Sequence, residues 1–203
     1  MPSFLGSIDS SAFSGSGLSV CDLSTAPNLT TIGSGAFQNC SKLSSPNGLP
    51  KNIRTIGDNA FNGCKLLDIT ISADKYQGLN SIGTSAFDSA KINVTSLPEA
   101  LEKIYGMAFS NIGGTLSFDT IPETVSVLGN RAFAGAKWSD VKTLTFLNPN
   151  FTVSNTNTNT DYSNLALYNL RDITALRTVN EEMAELLRNS NGLGSNITDI
   201  DVE

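Results

Sequence analysis

Apolar positions along this chain recur in a fixed frame: an aliphatic residue, two further residues, Ile or Leu, three more residues, and then Ala-Phe. The pairs Leu5/Ile8, Leu29/Ile32, Ile53/Ile56, Leu79/Ile82, Leu101/Ile104 and Val125/Leu128 each lead into it, with the dipeptide starting at Ala12, Ala36, Ala60, Ala86, Ala108 and Ala132. Successive copies lie 24, 24, 26, 22 and 24 residues apart. A period of this size predicts a solenoid, because each unit leaves an apolar face that only the next unit covers. A small or apolar residue follows three places after each Phe (Ser16, Cys40, Cys64, Ala90, Ile112, Ala136), and then a short aliphatic run.

Those runs predict strands. Leu18–Val20, Leu67–Ile71, Ile92–Val94, Leu116–Phe118 and Leu144–Phe146 alternate apolar with polar residues, the signature of a strand with one buried face. The run at Leu43 is the poorest, since Pro46 cannot donate to a ladder and Gly48 packs nothing. Pro50, Pro98 and Pro122 follow Leu49, Leu97 and Ile121 and end pairing there. One strand and one return arm per repeat makes a coil. Within the arm, Ile32-Gly33, Ile56-Gly57, Ile82-Gly83 and Leu128-Gly129 mark a place where a Cβ is strained or crowded, with Asp9 and Tyr105 as departures. Ala before Phe lets the arm approach the sheet while the rings of successive coils stack inside.

The frame L-x-x-I-G-x-x-A-F-x-x-C-x-x-L, with a strand ending in Leu-Pro, resembles the BspA-like leucine-rich repeat. Residues 29–49 (LTTIGSGAFQNCSKL with GLP after) and 53–71 (IRTIGDNAFNGCKLLDITI) carry the likeness, which extends over about residues 4–147. Asn148–Phe151 and Leu167–Asn169 resemble a diverged linker and strand of such proteins. The resemblance implies a right-handed leucine-rich repeat solenoid: a parallel sheet of about six strands, short-turn or 3-10 return arms, and display on microbial surfaces for attachment to host or partner proteins. At the spacing of paired strands, six coils give a sheet roughly 24 Å long.

Charge narrows the partners. A net charge of −6, no His and no run of basic residues argue against nucleic acid and against anionic membranes. No segment approaches the ~20 apolar residues of a membrane span, so membrane insertion is not expected. Met1–Phe4 lacks the charged and long apolar regions of a signal peptide, which taken literally places the chain in the cytosol. Repeat arrays take a polar capping unit, however, and the first copy starts at Leu5. The expectation is therefore a piece of a longer secreted or surface chain, its signal peptide lying upstream.

Three Cys are too few for a disulfide scaffold. Cys40 and Cys64 share a repeat position and stack in adjacent coils; small buried hydrophobes explain them better than a disulfide. Zinc and other cofactors are not expected without His. Nor is catalysis: nucleophile-elbow and phosphate-loop motifs are absent, and the carboxylate pairs Asp119/Glu123 and Glu181/Glu182 fit solvated faces.

With the apolar strand residues inward, Ser19 and Cys21, Asp68 and Thr70, Asn93 and Thr95, Ser117 and Asp119, and Thr143 and Thr145 face outward. The candidate ligand face is Asp68, Thr70, Asn93, Thr95, Ser117, Asp119, Thr143 and Thr145, a hydroxyl-rich surface without Trp, Tyr or Arg anchors. Residues 1–147 read as the six-copy solenoid and 148–203 as a diverged repeat and cap. That cap has a polar loop over 154–164 and a helix over about 172–188, capped by Asp172 and striped by Ile173, Leu176, Val179, Met183, Leu186 and Leu187. Ile197, Ile200 and Val202 suit a last strand. N-x-[ST] sequons at Asn28, Asn39, Asn93, Asn150 and Asn196 are no more than this Asn-rich composition produces. The reading is a non-enzymatic module binding a protein or glycan at a cell surface, with an intracellular scaffold or a structural spacer as alternatives.

Overall fold

The computed structural model describes residues 4–45, 47–150, 152–154, 167–188 and 196–202. Among them the chain winds as a parallel β-solenoid whose strands collect in three sheets. A seven-stranded sheet runs through Ser7–Ile8, Thr31–Ile32, Thr55–Ile56, Ser81–Ile82, Lys103–Ile104, Val127–Gly129 and Thr152–Ser154. Every neighbouring pair is parallel and in repeat register, with Ile8, Ile32, Ile56, Ile82, Ile104 and Leu128 in one row. The aliphatic member of each pair is buried and the Thr, Ser, Lys or Val before it is more exposed. One face of the ribbon thus meets the core, as alternation requires.

The longest sheet is therefore built from the segment read as a return arm. The apolar runs make two shorter sheets on the other side. Ile69–Ile71, Ile92–Val94, Thr115–Leu116 and Lys137–Trp138 form one; Thr120–Ile121, Thr143–Phe146, Ala175–Thr178 and Asp199–Val202 form the other. Leu18–Val20 does not form a strand; Val20 makes an isolated parallel bridge to Ser44, which is all the weak Leu43 run supports. The split arises because the fifth and sixth coils hold two pairing segments in succession. Leu144–Phe146 follows Leu116–Phe118 in the series of apolar runs but pairs with Thr120–Ile121 and not with Thr115–Leu116. The last strand expected around Ile200 does form, in register with Ala175–Thr178.

Between the sheets the Ala-Phe dipeptide is itself a rung between coils. Phe13, Phe37, Phe61, Phe87 and Phe109 each donate their backbone N–H to the Ala carbonyl of the next copy, at 2.7 to 2.9 Å. Their rings, with Phe133, stack at centroid distances of 5.2 to 5.8 Å and within 10° of parallel. The six Ala-Phe copies thereby line up one column of rings, fully buried from Phe37 to Phe133. Burial of each ring contributes about 1.5–3 kcal/mol and stacking about 0.5–1.5 more. Trp138 and Phe118 meet Phe133 edge-on and close the column at its far end.

Gly after Ile is explained by crowding, not by backbone sign. Gly33, Gly57, Gly83 and Gly129 are absent from the positive-φ residues, but a Cβ on them would lie 2.2 to 2.7 Å from backbone atoms of the preceding coil. Asp9 needs no Gly because it sits in the first coil. Within the Ala-Phe frame the left-handed sites are the residue before each Ala (Ser11, Gly35, Asn59, Ser85, Met107, Arg131) and the second after each Phe (Gly15, Asn39, Gly63, Ser89, Asn111, Gly135). Their enrichment in Gly, Asn and Ser follows the small steric cost of those residues there.

The helix read over 172–188 forms only as Glu181–Arg188. Ala175–Thr178, with Leu176 in it, is drawn into a strand by the parallel partner Thr143–Phe146. Asp172 does not cap the helix; its Oδ2 accepts the N–H of Trp138 at 3.0 Å. Asn180 takes the capping role, its Oδ1 accepting from the N–H of Met183 at 2.8 Å. Glu181 and Glu182 at the start and Arg188 at the end complement the helix dipole. Met183, Ala184 and Leu187 are buried, packed toward the last two strands. Pro46, the polar stretch beyond Ser154 and Gly192 lie outside the described residues.

Candidate functional site

The eight candidate face residues fall into two groups. Thr70 and Asn93 sit opposite one another in the first short sheet. Thr95 and Ser117 continue it, donating backbone N–H groups to the carbonyls of Ile71 and Val94 at 2.9 Å each. Thr143 and Thr145 belong to the other short sheet, where Thr145 stands between Thr120 and Arg177. Asp119 lies in the link between the sheets and accepts from Thr120 Oγ1 at 2.9 Å. Asp68 precedes its strand and pairs with Lys91 at 3.2 Å, both side chains exposed, an arrangement worth little stability.

Most of these polar groups are occupied by the stacking of coils. Asn93 Oδ1 accepts from the N–H of Thr115 at 3.0 Å, replacing a main-chain rung, and from Thr115 Oγ1 at 3.3 Å. Thr95 Oγ1 donates to the Ile71 carbonyl at 3.4 Å and Ser117 Oγ to that of Val94 at 3.5 Å. They act as ladder residues before anything else. Among the described residues, no three His, Cys, Asp or Glu side chains gather in a way that could hold a metal.

A groove that linear reading missed lies on the opposite turn, where each coil enters the long sheet. It has a volume of about 750 Å³ and is lined in part by Pro27, Thr30 and Gly78. Lys51, Arg54 and Lys75 line it together with Asp74, Asn28, Asn52 and Gln77. A neighbouring depression of about 480 Å³ shares Pro27, Lys51, Asn52 and Lys75. Bonds between coils fix the walls: the Arg54 backbone N–H donates to the Thr30 carbonyl at 2.8 Å, and the Asn52 side-chain Nδ2 donates to that of Pro27 at 2.8 Å.

The electrostatics of the groove differ from those of the whole chain. Lys51, Arg54 and Lys75 form no ion pair among the described residues. Lys75 lies over the Tyr76 ring, 5.4 Å from its centroid, and its Nζ reaches the Asn47 carbonyl at 3.5 Å. The nearby acids are held by local donors. Asp22 accepts from Ser24 Oγ at 2.6 Å and Asn47 Nδ2 at 2.7 Å, and these bonds lower its pKa. Asp74 is lowered chiefly by the Ser72 hydroxyl. The signal was present in sequence: Asn28, Asn52 and Gly78 each immediately precede the aliphatic residue that opens a repeat, so their neighbours align across coils.

A family model for the BspA type leucine rich repeat region matches the chain in six copies, over residues 6–139 and again over 77–194. The chain belongs to the BspA-type leucine-rich repeat family. Among solved structures, a leucine-rich repeat protein from Bacteroides ovatus ATCC 8483, determined at 1.19 Å, is similar over 97% of this chain at 17% identity and a TM-score of 0.37. The chain spans 64% of the length of that protein. No curated protein matches it.

The Cys column of the BspA-type frame has a structural use here. All three Cys are free and buried. Cys40 Sγ donates to the Phe13 carbonyl at 2.9 Å and Cys64 Sγ to that of Phe37 at 3.0 Å, each reaching back one coil. The same carbonyls accept the backbone N–H groups of Ser16 and Cys40 in their own coils. Each thiol thus fills a second lone pair beside the ring column.

Burial pushes the Cys64 thiol up to about 12 from 9.0. The raised group holds its proton in the folded chain and loses it in the unfolded one between those two values. Its stabilisation is complete below pH 9 and is lost as pH rises toward 12, by up to about 1.4 kcal/mol per unit. Urea melts between pH 8 and 11 are expected to show this decline, and Cys64→Ala to flatten it. A native chain in which a thiol reagent at pH 8 labels Cys64 as fast as in urea contradicts the assignment.

Proposed function

We propose that this BspA-type array is a non-enzymatic recognition module that attaches a microbial surface or secreted protein to a protein or glycan ligand. The observation that carries it is the unbroken ring column from Phe13 to Phe133, which fixes the outer turns and sheet faces in register. A binding surface held this way loses little conformational entropy when it is filled. BspA-type repeats typically occur on cell-surface or secreted bacterial proteins, and no helix among the described residues is long and apolar enough to cross a membrane.

In this reading residues 1–147 supply the six-copy array and 148–203 its diverged closing repeat and cap. Asp68, Thr95, Ser117 and Asp119, the exposed members of the sheet-face set, offer polar contacts beside the ladder. The purified chain is expected to give saturable binding on arrays of matrix proteins and glycans, with no turnover of what it binds. A spacer would bind nothing saturably on any array, and that result ends the proposal. Protease shaving of intact cells tests the location: an epitope on the native protein that survives shaving and is lost only on lysis places it inside.

A further inference from the structure

We propose that the groove at the turns before the second, third and fourth repeats binds an anionic oligosaccharide bearing uronate or sulfate groups. The inference deepens the recognition reading above and rests on it. Three cations without ion-pair partners among the described residues converge here in a chain whose net charge is −6, so the groove is a local reversal of the field. Such a reversal attracts anions to this part of an otherwise acidic surface.

The rest of the lining decides between classes of anion. Asn52 and Gln77 add amides, a group that holds donor and acceptor together and so suits sugar hydroxyls, with Asn52 Nδ2 already donating to the Pro27 carbonyl. An acidic peptide would bring apolar side chains as well, and the groove offers no apolar pocket for them: Leu49, in the smaller depression, is almost fully buried. Nucleic acid would extend past the groove onto a chain with 19 acidic against 13 basic residues, and no aromatic face lines the groove for a base to stack on.

The wall geometry favours an extended ligand. Lys51-Asn52 and Gln77-Gly78 hold the same place in consecutive coils, so contacts repeat at the strand spacing of about 4.8 Å. Asp74 also lines the groove and lies close enough to Lys75 for the two charges to interact, so the lining sets three cations against one carboxylate and keeps a net positive charge.

The test is titration of the full chain with a heparin hexasaccharide and an oligogalacturonate, beside a neutral dextran oligomer, an oligoglutamate peptide and a single-stranded oligonucleotide. At least one acidic sugar is expected to bind saturably, weakening several-fold as salt rises from about 0.05 to about 0.15 M. Lys51→Glu with Arg54→Glu is expected to weaken it at least about tenfold, and Lys75→Gln about threefold. Lys65→Glu, the same charge change at an exposed site outside the groove, is expected to leave it within about twofold. Circular dichroism melts confirm that each variant is folded. Silence of both acidic sugars, equal binding of dextran, oligoglutamate or oligonucleotide, or an equal loss in Lys65→Glu overturns the inference. Saturable binding of some other ligand, untouched by the groove variants, overturns this inference alone and leaves the recognition reading standing.

Discussion

Phe61→Ala is expected to destabilise the solenoid by about 4 kcal/mol, the upper range for truncating a buried aromatic. Phe61 is fully buried and stacks on Phe37 at 5.3 Å and on Phe87 at 5.5 Å, so truncation removes two ring contacts and leaves a void in mid-column. The neighbouring coils cannot close on that void, because the backbone rungs Phe37 N–H to Ala60 and Phe61 N–H to Ala86 fix their separation. Phe13→Ala is the internal comparison. That ring is 37% exposed and stacks on one neighbour, so its loss is expected to cost about 2 kcal/mol. Urea denaturation followed by circular dichroism measures both. A Phe61→Ala cost no larger than that of Phe13→Ala would show that the column does not hold the coils together.

Gly83→Ala is the second large effect, through close backbone packing. An added Cβ would lie 2.5 Å from Asp58 N and 2.5 Å from Gly57 C. Backbone atoms in a hydrogen-bonded ladder cannot move as a side-chain tip does, so the third and fourth coils must separate locally. The expected cost is about 3 kcal/mol, the high end for overpacking, visible as a lower Tm and as faster amide exchange in both coils. Gly17→Ala meets nothing within 4 Å and is not at positive φ, so it is expected to be neutral or to gain about 0.5 kcal/mol. Equal melting of the two variants would sink the account of the Ile-Gly column.

The contrast between these glycines shows how far local reading extends. That Gly after Ile avoids a Cβ was legible, because the residue recurs at one phase of the repeat. Which atoms forbid it was not, since Ser34 and Asp58 lie a full coil from the glycines they crowd, Gly57 and Gly83. The helix shows the opposite failure. Ile173, Leu176 and Val179 do fall on a helical face, but Leu176 pairs with Leu144 across 32 positions of chain, and that ladder outweighs the local pattern. Likewise Thr95 and Ser117 read as free surface from alternation alone, yet their hydroxyls reach the carbonyls of the preceding coil.

The candidate groove was hidden for the same reason. Lys51, Arg54 and Lys75 make no basic run in sequence, and only the coil period brings Lys75 beside the other two.

By itself the amino-acid order determined the coil: the frame from Leu5 to Phe133, its period, the buried column of rings and the small residues beside it. It could do so because a solenoid repeats nearest-neighbour contacts, and identical contacts leave a periodic trace. Tertiary structure alone decided which segments became the long sheet, where the second short sheet begins, how far the helix extends and which charges meet. Those outcomes depend on register between coils, where residues more than twenty positions apart compete for the same hydrogen-bonding edge, and no local pattern encodes the winner.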